Sequence, residues 1–231
     1  MPIRFIGVIG SLACTDGNCI EASKSPFHEK NKLSYLKNQI ITLGKPYFKL
    51  MTPIQQNLTA LNQELDWLSA VISQALTSYL LHEGHEQDWQ NITLPVVSEE
   101  SAFGNFVIKQ QLDIYSRLAL ALAVAPQLKP QSLDIFFSKN QIYDRAFTEF
   151  GGKARHDHAG FLPTVQTLNF LITVKDLLLF EKVVELISSS HTLQQQEVIL
   201  MPEAEIGFPK LSCLWGLNPK WFNYFITGNL G

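Results

Sequence analysis

The sequence predicts a mainly α fold: a helical domain with a long N-terminal helix and a small C-terminal β-hairpin, winged-helix-like at that end. Three observations carry this expectation. Apolar residues repeat at spacings of three and four between Leu58 and Tyr79. The run Arg117–Leu128 (RLALALAVAPQL) is apolar nearly all round, as a central buried helix would be. Near the C-terminus two short apolar segments, Gln196–Met201 and Leu211–Trp215, flank a loop holding Pro202, Gly207 and Pro209. The chain has 231 residues, 46% of them hydrophobic and 17% charged, which supports a sizeable core and excludes intrinsic disorder. No apolar run reaches the ~18–20 residues of a membrane helix, so no membrane partner is predicted.

Residues 1–50 read as an N-terminal appendage and residues 51–231 as the helical domain. Within the appendage, Arg4–Ile9 suits a buried strand, followed by a polar, turn-rich loop over Asp16–Lys32. The segment Met1–Cys14 also has the outline of a signal peptide with a lipoprotein-type cleavage site, which keeps an exported lipoprotein open beside a cytoplasmic protein. Cys14 and Cys19 are spaced to pair or to share a metal, but two thiols do not complete a zinc site. With the distant Cys213 they read as three free thiols in a reducing compartment.

The helical domain opens at Thr52-Pro53-Ile54-Gln55, a capping box with proline at the first helical position. Leu58, Leu61, Leu65, Leu68, Ile72, Ala75 and Tyr79 then form a seam through to Glu83, with Gly84 as the stop. Such a helix either projects toward a partner or folds back as an intramolecular helical hairpin. His85–Pro95 is a linker. Ser98, before Glu99 and Glu100, is the expected N-cap of a helix reaching Gln111. The Ala/Leu helix follows over Leu112–Leu128. A short helix over Gln131–Ser138 should turn Leu133, Ile135, Phe136 and Phe137 inward. Asn140–Gly160 shows no periodicity. Helices then begin at Leu162-Pro163-Thr164 and at Asp176, and a last one runs from Asn218-Pro219 to Thr227-Gly228.

The motifs point away from catalysis. There is no GxxxxGKS/T phosphate loop, HExxH, GxSxG or paired CxxC. The chain alone is therefore expected to hydrolyse no ATP, and no cofactor is predicted. The formal charge of −3 and the lack of a basic stripe disfavour a nucleic-acid partner, although the helix–helix–hairpin order keeps a winged-helix nucleic-acid module as the alternative. His156 and His158, with Asp157 between them, are the one local metal-like cluster; a solvated loop explains them better. The most unusual stretch is Thr148-Glu149-Phe150-Gly151-Gly152, a glycine pair after an aromatic residue, with Arg145, Lys153 and Arg155 around it. Its chemistry suits a docking surface or a buried structural turn equally.

Three segments carry a family resemblance: Leu133–Asn140 (LDIFFSKN), Asp144–Gly152 (DRAFTEFGG) and Gly160–Thr164 (GFLPT). Together with the helix Leu61–Glu83 and the closing Asn218–Gly228 (NPKWFNYFITG), they resemble the N-terminal, non-catalytic region of bacterial AAA+ ATPases associated with phage-tail-like contractile injection systems. The resemblance spans roughly residues 55–228. It implies an accessory domain that recruits a client or regulates an AAA+ module, with the ATPase activity in a downstream module absent from this chain. Its partner would be that module or a client protein, and a homo-oligomer is compatible with it. Arg145, Thr148, Glu149, Phe150, Gly151, Gly152, Phe161 and Pro163 are then the expected contact residues, Phe150 and Phe161 as apolar anchors and Arg145 and Glu149 as polar rim.

Overall fold

The computed structural model describes residues 51–81, 88–204 and 206–230. The strand, loop and cysteine expectations for residues 1–50 and the stop at Gly84 lie outside the described residues. Among the described residues the fold is mainly helical, with seven α-helices and three two-stranded antiparallel ribbons.

Helix α1 is one continuous element, Pro53–Leu81. Its capping box is formed in both directions: the Gln55 amide donates to Thr52 Oγ1 at 3.2 Å, and the Thr52 amide donates to Gln55 Oε1 at 3.0 Å. The seam buries Leu61, Leu65, Leu68, Ile72 and Ala75, while Leu58 stays exposed and Tyr79 half-buried. Trp67, Val71 and Leu76 widen the buried face beyond an a/d stripe. A face this broad needs several neighbours, and α1 packs against α2 (Ala102–Lys109), α3 (Ile114–Leu128) and α7 (Pro219–Thr227). It is thus the spine of the domain rather than a projecting arm or one half of a simple hairpin. Buried Asn57 fastens this arrangement. Its Nδ2 donates to the Ile226 carbonyl at 3.0 Å, and its Oδ1 accepts from the Ala102 amide at 2.7 Å.

Helix α2 starts later than the sequence suggests. The Ser101 side chain, not Ser98, caps it by accepting from the Gly104 amide. Ser98 shapes the turn before it, and Gly104 lets that turn close: a Cβ there would lie 2.2 Å from the Ser98 carbonyl oxygen. Asp113 caps α3 by accepting from the Ser116 amide at 2.8 Å. Every residue from Ser116 to Ala125 is buried.

The expected short helix is a 3₁₀ segment, Pro130–Phe137. Its three-residue turn puts Leu133 and Phe136 on one inner edge, so Ile135 and Phe137 face outward, contrary to the 3.6-residue expectation. The unpatterned stretch that follows holds two ribbons, β1 (Lys139–Asn140) with β2 (Arg145–Ala146), and β3 (Lys153–Arg155) with β4 (His158–Leu162).

Helix α4 (Val165–Thr173) begins with a Thr164/Thr167 capping box. Asp176 caps a 3₁₀ turn that leads into α5 (Phe180–Ile187), and a one-turn α6 (Thr192–Gln195) follows. The C-terminal ribbon is shorter than expected: only Ile199–Leu200 (β5) and Gly216–Leu217 (β6) pair. Gln196 closes α6, which shortens the first predicted strand, and the second, expected over Leu211–Trp215, is displaced: Leu211 and Ser212 lie in a 3₁₀ turn and β6 begins after Trp215. Two residues a side, tied down by the Asn218 amide to the Val198 carbonyl, leave no projecting wing among the described residues. The α7 caps follow the sequence, with Asn218 accepting from the Lys220 amide and Gly228 at φ 81°.

Candidate docking surface

The motif Thr148–Gly152 is held by an aromatic cluster. Phe150 is 1% exposed and meets Tyr79, Phe136, Phe147 and Phe170 with ring centroids 5.7, 5.5, 5.0 and 4.9 Å away. Phe161 is 3% exposed and packs on Phe136 and Phe137. The glycine pair exists for this packing. Gly151 and Gly152 both have positive φ, 61° and 81°, and a Cβ on Gly152 would lie 2.1 Å from Phe161 Cζ. The Gly152 amide donates to Thr164 Oγ1 at 3.0 Å, which joins the turn to the cap of α4.

This geometry corrects the expected site. Phe150 and Phe161 are core residues and cannot anchor a partner at the surface. Pro163 is buried as well, with its carbonyl accepting from the Trp215 amide. Gly151 and Gly152 are half-buried and serve the turn. Arg145, Thr148 and Glu149 are exposed, as a contact surface requires. Glu149 is nevertheless tied inward: the Tyr79 hydroxyl is pushed above the ordinary phenol range by burial, then by the Glu149 charge and a hydrogen bond to Glu149.

The exposed apolar side chains beside this motif are at the tip of the β1–β2 ribbon, which sequence reading missed. Ile142 is 86% exposed and Tyr143 68% exposed. Asn140 shapes the tip, its Oδ1 accepting from the Ile142 amide at 3.0 Å, and Asp144 turns the chain at φ 47°. The Arg145 guanidinium lies over the Tyr143 ring, 5.5 Å from its centroid, which pre-orders both side chains. The signal for this tip was present as two turn-forming residues, Asn140 and Asp144, bracketing apolar ones. Behind the tip, half-buried Phe147 anchors the ribbon by packing on Tyr79 and Phe150.

Among the described residues the histidine loop is not joined by a third ligand. Arg155 grips Asp157 through two hydrogen bonds of 2.9 Å each, His156 is exposed, and His191 is engaged elsewhere, with Ser116 and Leu193. Among the described residues no group of three or more His, Cys, Asp or Glu side chains could hold a metal ion. A cavity of about 570 Å³ borders the other side of the glycine turn, lined by Gly152, Lys153, Glu203, Phe208, Ser212 and Cys213 among others.

Comparison of the chain with protein-family models, with curated proteins and with solved structures finds no match. No helix among the described residues is long and apolar enough to cross a membrane.

Proposed function

We propose that this chain is a non-catalytic accessory domain that acts by protein–protein contact, regulating or recruiting a client to a cytoplasmic AAA+ ATPase module of the kind its sequence resembles. The observation that carries the docking role is the β1–β2 tip. Ile142 and Tyr143 are exposed apolar side chains on a ribbon braced by the aromatic core, with Arg145 stacked on Tyr143. Tyr and Arg are the residue types that dominate binding energy at interfaces, and a rigid base lowers the ordering cost of binding. Thr148 and Glu149 extend the surface as polar rim.

Arg145→Ala is the clean probe, because Arg145 is exposed and makes no ion pair among the described residues. Its melting temperature is expected to match the parent, a surface change being worth within about 0.5 kcal/mol. The assay is ATP turnover by an AAA+ module of that family, with and without the added chain. The parent is expected to change that turnover, and Arg145→Ala is expected to need a concentration several-fold higher for the same change. A parent without effect on turnover, together with no binding to the module, would overturn the proposal.

A further inference from the structure

The geometry points to a proton-operated latch at His191, whose neutral ring caps the first turn of α6 and gives up that cap when the ring takes up a proton. His191 is the N-cap of α6. Its Nδ1 accepts from the Leu193 amide at 3.2 Å, and its Nε2 lies 3.2 Å from Ser116 Oγ on α3. An amide can only donate, so Nδ1 must carry the lone pair. In the neutral ring the proton is therefore on Nε2, where it donates to Ser116. A proton arriving at Nδ1 faces the Leu193 N–H, two donors with no acceptor between them. The cap is then lost, and Nδ1–H must find another partner.

The latch matters because α6 is a junction. Thr192 Oγ1 and Gln196 Nε2 both donate to Gln110 Oε1 beyond the end of α2, at 3.0 and 2.8 Å. The Gln196 carbonyl accepts from Trp221 Nε1 of α7 at 2.9 Å, and the Glu197 carbonyl accepts from Asn218 Nδ2 at 2.9 Å. The β5 strand starts two residues later. Loosening the first turn of α6 thus slackens the attachment of α7 and the C-terminal ribbon to the rest of the core.

The surroundings favour the neutral ring. Burial lowers the affinity of the half-buried imidazole for a proton, and it outweighs Asp113 at the start of α3 and Glu185 on α5, the two acids whose charges pull the other way. α6 itself, Thr192–Gln195, brings no charge, and the α2 contact is the neutral Gln110. The folded ring therefore titrates below the ordinary value of about 6.5. The stabilisation from the neutral ring is complete above that unfolded value. It is lost as the pH falls from about 6.5 toward the folded value, because the unfolded chain then binds the proton more readily.

The test is nitrogen-15 NMR of the full chain from pH 8 to pH 5, with amide exchange at Leu193 corrected for its intrinsic pH dependence. The His191 ring is expected as the Nε2–H tautomer at pH 8, with a midpoint below about 6.5. Leu193 protection is expected to drop about fivefold on protonation, the size of one helix cap. In His191→Asn the side-chain oxygen keeps the cap and nothing titrates, so protection should stay flat. An Nδ1–H tautomer at pH 8, or Leu193 protection in the parent unchanged between pH 8 and pH 5, would overturn the latch. Both readouts come from the parent, so they decide the matter even if the variant does not fold.

Discussion

Arg117→Met is expected to destabilise the fold by about 3–5 kcal/mol, the cost of leaving one member of a buried ion pair uncompensated. Arg117 on α3 and Glu64 on α1 have side chains 7% and 1% exposed. They form a two-point contact, with Arg117 Nε donating to Glu64 Oε1 at 2.8 Å and Nη2 donating to Oε2 at 2.6 Å. Nη2 also donates to the Pro95 carbonyl at 2.9 Å. Burial pushes the Glu64 carboxyl up from the ordinary carboxylate range, while the Arg117 hydrogen bonds and charge pull it back down. Without the guanidinium only the upward push remains, and the Pro95 carbonyl loses this donor as well. The double change Glu64→Leu with Arg117→Met removes both charges at similar volume. It should recover most of the loss, since buried pairs are often replaceable by packed apolar residues. Denaturant midpoints of the parent, the single and the double variant check this. A single variant as stable as the parent would contradict the burial of the pair.

Phe150→Ala is expected to cost about 3–5 kcal/mol, the usual range for deleting a core aromatic ring. Phe150 touches Tyr79, Phe136, Phe147 and Phe170 at once, so its loss opens a cavity among four rings that cannot all collapse inward. Edge-to-face contacts with three of them are lost in addition. Thermal melts of Phe150→Ala beside Tyr143→Ala separate the two roles around this motif. The first should melt far below the parent and the second beside it. Equal melting temperatures would return Phe150 to the surface and the glycine turn to the contact site.

Elements with a repeating pattern were legible in the sequence. The capping box at Thr52, the leucine seam of α1, the Asp176 start and the Asn218–Gly228 caps follow from local chemistry alone, and each is where that chemistry puts it. Elements set by distant partners were not. Glu64 interrupts an apolar face and becomes tolerable inside only through Arg117, 53 residues away. The ribbons β1–β2, β3–β4 and β5–β6 have two to five residues a side, too few for an alternation to register. The burial of the motif's aromatic residues was hidden for a related reason. Phe150 follows polar Thr148 and Glu149 and both rings lie beside glycines in the sequence, yet Gly151 and Gly152 fold the chain back so that both rings enter the core. Ile142 and Tyr143 stand out less, but a two-residue ribbon carries them into solvent.

Hydrogen–deuterium exchange tests the proposed contact between the β1–β2 tip and an AAA+ module most directly. The full chain is compared alone and with an excess of an AAA+ module of the family its sequence resembles. Added protection is expected over residues 139–149 and is expected to vanish in the Tyr143→Ala, Arg145→Ala double variant. Protection elsewhere, for instance over the exposed Leu177 and Leu178 beside α5, with residues 139–149 unchanged, would contradict a contact at the tip.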